Sequence, residues 1–273
     1  MSDIVLSAGV RSNLLQLQQT SNLIDQTQTR LSTGNKVNSA LDNAISYFTA
    51  QNLNTRANSL SSLLDTMSNG INTIQAANNG ITAITKLVQS AQALVSQAQE
   101  ANNTTTQASL STQFNALIAQ IGQLAGDSGF NGVNLLAGNT LTVNLDETGN
   151  STTTVTGVNY TNAQAAPLSI VNATNNWASA SDITTAATAL SSALTSLQSE
   201  TQTLSASLST IQIRQDFTTA TINTLQSGAS DLTLADSNQE GANLLALQTR
   251  QQLETTALSL ASQSDQNVLR LFR

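Results

Sequence analysis

Apolar residues recur at alternating intervals of three and four positions through a long stretch of the first half of the chain. The series comprises Leu60, Leu64, Met67, Ile71, Ile74, Ala77, Ile81, Ile84, Val88, Ala91, Val95 and Ala98. This spacing places an apolar stripe along one side of an α-helix and is typical of coiled coils. The only proline of the chain is Pro167. The pattern therefore predicts one helix over residues 44–100, which is about 85 Å long at 1.5 Å per residue.

The same spacing returns from Leu190 onward, and a shorter helix is predicted over residues 106–125. We interpret the two long stripes as the packed core of a helical rod. The predicted rod core consists of Leu64, Met67, Ile71, Ile74, Ile81, Ile84, Val88, Leu194, Leu197, Leu204, Leu208 and Ile211.

Weaker stripes lie near the two ends of the chain. Thr33-Gly34-Asn35 is predicted to end the first helix, and Gly228 is predicted to interrupt the helices of the second half. Ser21 and Gln28 fill positions of the first stripe, and such polar residues bury little apolar surface. We therefore expect these helices to need neighbouring subunits. The predicted inner assembly seam consists of Leu14, Leu17, Ile24, Leu31, Leu253, Leu260, Val268 and Phe272.

Between the helical halves the apolar period changes from helical spacing to two. Leu141, Val143 and Leu145 alternate with polar residues, and a Gly- and Thr-rich, β-like region continues to about Trp177. The predicted fold is mainly α. The N- and C-terminal segments form a long antiparallel helical hairpin or coiled-coil rod, and the small β-rich insert lies at its tip.

The composition excludes most catalytic arrangements. The chain has no histidine and no cysteine, so Ser-His-Asp triads, Cys-His pairs and metal sites built from those residues cannot form. Asp146 and Glu147 are adjacent, and neighbouring side chains on a strand point to opposite faces. The glycines between Gly122 and Gly132 lack the lysine of a phosphate-binding loop. We predict no catalytic, cofactor-binding or metal-binding residue.

Charge and hydropathy also restrict the partners. The net charge is −7 and no Lys or Arg occurs between Lys86 and Arg214, which argues against nucleic acid. No apolar run is long enough for membrane insertion, and the first residues lack the features of a cleaved signal peptide. The hydroxyl runs at residues 104–106 and 152–154 could accept O-linked glycans, but a solvated surface explains them as well, so glycosylation remains open.

Three separated blocks resemble the bacterial flagellins, in particular small flagellins of the alphaproteobacterial type. The first is Arg30-Leu31-Ser32-Thr33-Gly34, followed by Val37-Asn38-Ser39-Ala40 and Asp42-Asn43-Ala44. The second is Phe130-Asn131-Gly132-Val133-Asn134-Leu135-Leu136. The third is Ala246-Leu247-Gln248-Thr249-Arg250-Gln251-Gln252-Leu253. The chain departs from the family pattern at one place. The two acidic residues usual after the first block are replaced by Asp42-Asn43, so only one of the two positions is charged and any charge contact there is halved.

The resemblance implies a structural subunit, not an enzyme. Residues 1–43 and 231–273 would pair as an inner coiled coil, residues 44–138 and 183–230 would form a helical shell domain, and residues 139–182 would form a small outer variable domain. The subunit would be exported without a cleaved signal by the flagellar type III system. It would polymerise into the extracellular filament used for swimming, and its partners would be other flagellin subunits, hook-associated and cap proteins, and an export chaperone.

Three alternatives remain at this point. A hook–filament junction protein shares flagellin-like termini, although the complete third block favours flagellin. An α-helical adhesin or secreted effector enzyme is disfavoured by the absence of histidine and cysteine. A type III translocator would normally carry an apolar membrane-inserting stretch.

Overall fold

The computed structural model of the chain describes residues 8–271, with side chains up to residue 267. This part of the chain contains five long α-helices, one 3₁₀ turn and one two-stranded antiparallel sheet, which confirms the predicted mainly-α class. The elements are α1 (Ala8–Thr33), α2 (Ala44–Glu100), α3 (Thr104–Asp127), β1 (Thr140–Asn144), β2 (Thr152–Thr156), the 3₁₀ turn (Asn175–Trp177), α4 (Ala180–Thr233) and α5 (Ser237–Leu271).

The described residues divide into two compact units. Unit 1 contains residues 8–55 and 224–271, and unit 2 contains residues 56–223. The helices α2 and α4 contribute residues to both units. These borders differ from those of the five-segment division that the sequence suggested, and that division remains a prediction.

The helix boundaries follow from capping side chains. The side-chain oxygen of Asn43 accepts a hydrogen bond from the main-chain N–H of Ser46 at 3.0 Å, which satisfies a free donor in the first turn of α2. Asn103 caps α3 in the same way, accepting from the N–H of Thr105 at 2.7 Å. The helix predicted over 44–100 is confirmed at both ends, and α3 extends slightly beyond the predicted 106–125.

Unit 2 is held together by the stripes on α2 and α4. The central residues of the predicted rod core are buried, namely Met67, Ile74, Ile81, Ile84, Val88, Leu197, Leu204 and Ile211. Leu64, Ile71, Leu194 and Leu208 lie at the margins of these buried faces and are half-buried. A straight helix has 3.6 residues per turn, so a stripe with a period of 3.5 drifts around it and some members reach the edge.

The β-hairpin of unit 2 packs along the side of α2. Leu141 pairs with Val155 in the two-stranded sheet. A β-carbon added to Gly70 of α2 would lie 2.6 Å from a methyl group of Val143, so a larger residue there would crowd the Val143 side chain. Arg56 of α2 forms an ion pair with Glu147 at 2.6 Å. The sequence placed this insert at the tip of the helices. The structure instead packs the hairpin beside residues 56–70, far from the Glu100 end of α2.

The segment after the hairpin fills the space between helices of unit 2. Tyr160 and Trp177 are both buried, and the Trp177 ring lies 4.9 Å from the ring of Phe114 on α3. Asn115 of α3 accepts a hydrogen bond from the N–H of Ala173 at 2.8 Å. Tyr160 and Trp177 therefore belong to the core that the helices of unit 2 share with this segment.

Gly228 does not interrupt α4, so that prediction is wrong. The helix continues through it to Thr233. A β-carbon at Gly228 would approach the Leu53 side chain of α2 to 3.6 Å, and the glycine therefore lies where two helices are close together. The break predicted at Thr33-Gly34-Asn35 is confirmed, because α1 ends at Thr33 and Gly34 adopts a φ of +71°, which favours glycine.

Candidate assembly surface

Helices α1 and α5 of unit 1 pack against each other in an antiparallel arrangement. On α1 the buried side chains are Val10, Thr20, Ile24 and Thr27, and Leu17 is half-buried. The facing side of α5 has a regular alternation of four and three residues. Its buried or half-buried members are Glu240, Leu244, Leu247, Gln251, Glu254, Leu258, Ala261 and Asp265. The pair therefore has the spacing of a coiled coil, but many of its inward residues are polar.

The predicted inner seam coincides with this buried face only at Leu17 and Ile24. Leu14 and Leu31 are 39% and 40% exposed, and Leu253 and Leu260 are 67% and 69% exposed. These four leucines lie outside the face that α1 and α5 bury against each other. The structure does not describe the side chain of Val268, and Phe272 lies outside the described residues. A role of the exposed leucines in contacts between copies remains a prediction.

Two polar contacts connect α1 to α5. The Thr20 hydroxyl, which is 1% exposed, donates to Oε1 of Glu254 at 3.0 Å. The same carboxylate oxygen accepts from Nε of Arg250 at 2.8 Å. Nearer the end of α1, Nη1 of Arg30 lies 3.4 Å from Oε1 of Glu240, a residue that is buried. We refer to the pairs Thr20–Glu254 and Arg30–Glu240 as the two polar layers.

Main-chain hydrogen bonds join the connection after α1 to the connection after α4. The N–H of Lys36 donates to the carbonyl of Thr233 at 2.7 Å, and the N–H of Ala235 donates to the carbonyl of Gly34 at 2.9 Å. The Lys36 ammonium group also donates to the carbonyl of Asp231 at 2.9 Å. The first flagellin-like block and the start of the C-terminal region are thus in direct contact within unit 1.

Asp42 and Asn43 have separate local roles in unit 1. Asp42 accepts hydrogen bonds from the N–H groups of Asn38 and Ser39 at 3.0 and 2.9 Å, and these bonds hold the pKa of Asp42 below its ordinary value. Asn43 caps α2. The amide in the second position of the usual acidic pair therefore performs a capping function that needs no charge.

Large apolar side chains are exposed over much of unit 1. Their exposed fractions range from 39% for Leu14 to 98% for Leu41. The set comprises Leu14, Leu15, Leu23, Leu31, Leu41, Ile45, Phe48, Leu234, Leu245, Leu253 and Leu260. Extended exposed apolar surface is typical of protein–protein interfaces. Sequence reasoning missed Leu41, Ile45 and Phe48, although their presence in the polar stretch after the first block was a usable signal.

The acidic residues Asp146 and Glu147 have separate local partners in unit 2. Asp146 accepts from the N–H of Ser151 at 3.0 Å and closes the hairpin turn, and hydrogen bonds from Thr148 and Ser151 lower its pKa. Glu147 is engaged by Arg56. Within residues 8–271, no group of three or more His, Cys, Asp or Glu side chains converges. None of the helices in that range is long and apolar enough to cross a membrane.

Comparison with known proteins accounts for both terminal regions. Residues 8–140 match the bacterial flagellin N-terminal helical region, and residues 171–272 match the bacterial flagellin C-terminal helical region. The chain is 30% identical to a flagellin of Brucella melitensis over the full length of both proteins. It is 30% identical to flagellin FljM of Caulobacter vibrioides, with all of this chain and 99% of the relative aligned. Flagellin A of Rhizobium meliloti is 43% identical over 81 residues, which are 30% of this chain and 21% of the relative.

These matches and the paired terminal helices define a helical, self-associating structural subunit. The chain belongs to the bacterial flagellin family, which consists of structural subunits of the extracellular flagellar filament and not of enzymes. The resemblance inferred from the three sequence blocks is confirmed. The comparisons give no support to the hook–filament junction alternative.

Proposed function

We propose that this chain polymerises with copies of itself into a flagellar filament that drives swimming. The observation that carries the proposal is the surface of unit 1, where α1 and α5 pair while Leu14, Leu31, Leu253 and Leu260 remain exposed. Burying one exposed leucine side chain contributes about 1.5–3 kcal/mol, so contact between such surfaces favours association. Identical subunits that meet through two different surfaces around a non-closing rotation build open helical filaments.

The proposed arrangement assigns a role to each segment. Residues 1–43 and 231–273 form the inner coiled coil, residues 44–138 and 183–230 form the shell domain, and residues 139–182 face outward. The buried stripes on α2 and α4 support a shell domain that folds by itself. The predominantly polar seam between α1 and α5 supports an inner layer that depends on its neighbours.

The proposed route and partners follow from family membership. The subunit leaves the cytoplasm through the flagellar type III channel without a cleaved signal peptide and assembles outside the cell. An export chaperone binds it before export, cap proteins guide its assembly, and hook-associated proteins connect the filament to the hook. None of these steps requires a cofactor, a nucleic acid or insertion into a membrane.

Electron microscopy of the purified full-length chain under polymerising conditions tests the proposal. Long filaments are expected, together with restored swimming when the chain is the only flagellin of a non-motile strain. A chain that lacks residues 231–273 serves as the control and should form no filaments. Failure of the full-length chain to polymerise in either setting, while it remains folded by circular dichroism, would contradict the proposal.

A further inference from the structure

Helix α1 offers two stripes with coiled-coil spacing. The two stripes share Val10, Leu17, Ile24 and Leu31, which recur every seven residues. The first stripe is completed by Leu14, Ser21 and Gln28, and the second by Asn13, Thr20 and Thr27. The first stripe therefore has one more large apolar side chain, Leu14, and apolar burial alone would favour it. The structure nevertheless buries Thr20 and Thr27 and leaves Leu14 exposed.

The polar layers account for this choice. In the observed packing Thr20 supplies a hydroxyl to the Glu254 carboxylate, whose side chain is only 11% exposed. Rotating α1 to bury Leu14 would turn Thr20 away and remove this donor. Glu254 would keep its contact with Nε of Arg250 on its own helix but lose the hydroxyl that α1 supplies, and hydrogen bonds to charged groups are stronger than those between neutral groups. The gain from burying Leu14 is therefore opposed by the loss of a hydrogen bond to a buried charge.

The two layers together also exclude a shift along the helix axis. Thr20 faces Glu254, so Thr27, one heptad later, faces Leu247 in the antiparallel pair. A slip of one heptad would place Thr27 beside Glu254 and give the carboxylate a new hydroxyl. The same slip would separate Arg30 from Glu240, which now lie 3.4 Å apart. One layer alone permits this slip, whereas two layers do not.

We propose that the two polar layers, and not the leucines, set the register and rotation in which α1 pairs with α5. The layers stabilise the pair less than apolar residues would, but they specify one arrangement. That arrangement keeps Leu14, Leu31, Leu253 and Leu260 on the outside, where they contact a second copy of this chain. This last point rests on the proposed polymerisation, whereas the register itself does not.

Disulfide cross-linking measures the register directly, because the chain contains no cysteine. Three reporter chains share the change Ile24→Cys. Each chain carries a different second cysteine on α5. Gln251→Cys reports the observed register, and Leu258→Cys and Leu244→Cys report registers slipped by one heptad in the two directions. Each reporter is assembled into filaments and oxidised, and the intrachain disulfide is quantified by mass spectrometry. Filaments mixed from the corresponding single-cysteine chains measure the interchain background.

With the polar layers intact, we expect the Gln251→Cys pair to cross-link at least about tenfold more than either slipped pair, because slipped states separate the buried Glu240 carboxylate from Arg30. An apolar variant replaces both layers through Thr20→Leu, Glu254→Leu, Arg30→Met and Glu240→Met. In this variant the three pairs should cross-link within about threefold of one another, since the apolar seam no longer specifies a register. The matched control, Thr29→Leu with Gln252→Leu, changes exposed positions and should retain the original preference.

A preference for the Gln251→Cys pair that persists at about tenfold in the apolar variant would overturn the proposal. If that variant does not assemble, the same pairs are oxidised in its monomer. An even distribution there supports the proposal, and a retained preference overturns it. Failure of the cysteine-free chain to form any filament would instead contradict the proposed function, so the two failures are distinguishable.

Discussion

Glu200 occupies a position of α4 that the heptad spacing assigns to the buried face, between Leu197 and Leu204. Its Oε1 atom is buried and has no hydrogen-bond partner, and burial raises the pKa of its carboxyl group above the ordinary value of 4.5. Tyr160 lies nearby, and burial together with the Glu200 charge raises the pKa of its phenol. Lys86 of α2 lines the adjacent groove. None of the ion pairs in the described part of the chain includes Glu200.

The raised pKa of Glu200 predicts a pH-dependent stability of unit 2. A carboxyl group whose folded pKa exceeds its unfolded value contributes stability below the unfolded pKa, and this contribution is lost as the pH rises through the folded pKa. We therefore expect the melting temperature to fall relative to that of Glu200→Gln as the pH rises from 4.5 through the raised pKa. Circular dichroism melts across this range measure the difference.

The control for this prediction is Glu100→Gln at the exposed end of α2. It removes the same charge from an exposed position and measures how much the loss of a carboxylate alone changes the melting temperature. A difference in melting temperature between wild type and Glu200→Gln that stays constant with pH would contradict the prediction, because it would show that ionisation of Glu200 does not destabilise unit 2.

Ile74 provides a test of the core of unit 2. Its side chain is fully buried on α2, whereas Asn72, two residues earlier, is exposed. We expect Ile74→Asp to lower the free energy of unfolding by about 3–5 kcal/mol, because it buries an unpaired charge. Asn72→Asp introduces the same charge at the surface and should change it by about 0.5 kcal/mol or less. Urea unfolding followed by circular dichroism compares them, and equal midpoints would show that the stripe is misassigned.

At the scale of elements, α3 contains two glycines one turn apart in different surroundings. A β-carbon at Gly122 would clash with the carbonyl oxygen of Thr161, whereas at Gly126 it would meet nothing within 4 Å. Gly122→Ala should therefore destabilise unit 2 by about 1–3 kcal/mol through crowding. Gly126→Ala should be neutral or stabilising by about 0.5 kcal/mol, since alanine favours helix. Thermal unfolding of both variants measures this contrast, and similar destabilisation would indicate a general intolerance of α3.

The long helices could be predicted from the sequence because one signal determines them. Apolar spacing from Leu60 to Ala98 has no competing stripe, and Asn43 marks the start of α2 with a capping side chain. The rotation of α1 could not be predicted in the same way. Two stripes share Val10, Leu17, Ile24 and Leu31, and the choice between them depends on Glu254, which is far away in the sequence.

The position of the β-hairpin depends on contacts that no local pattern reveals. Alternation at Leu141 and Val143 indicated a strand. The strand packs against α2 at Gly70, and the alternation does not show this. Gly228 was misread for a related reason. A glycine within a helical pattern can end the helix or allow a close approach, and only the position of Leu53 distinguishes these cases.

At the scale of the whole molecule, the two units differ in how they are stabilised. Unit 2 buries continuous apolar stripes, whereas unit 1 buries Thr20, Thr27 and Glu240 and exposes many of its leucines. Helices that bury so little apolar surface are only marginally stable in water. We expect amide hydrogens of α1 and α5 to exchange at least about a hundredfold faster than those of α2 around Ile84 in the monomer.

Hydrogen–deuterium exchange with mass spectrometry measures this difference, and filaments of the same chain provide the comparison. Protection of α1 and α5 should rise upon assembly while protection around Ile84 remains high. Equal protection of α1 and the centre of α2 in the monomer would mean that unit 1 needs no neighbours.

The partners in the Thr20–Glu254 contact are separated by 234 positions along the chain. Helix α1 therefore lacks its α5 partner until almost the whole polypeptide has emerged from the ribosome. Closing so long a loop is unfavourable in an unfolded chain, but it becomes easier once the intervening residues have folded. A polypeptide that stops before Ser237 leaves α1 unpaired, with its apolar side chains in water. Pairing of the two ends therefore requires a chain that extends through α5, whether it occurs in the monomer or only on assembly.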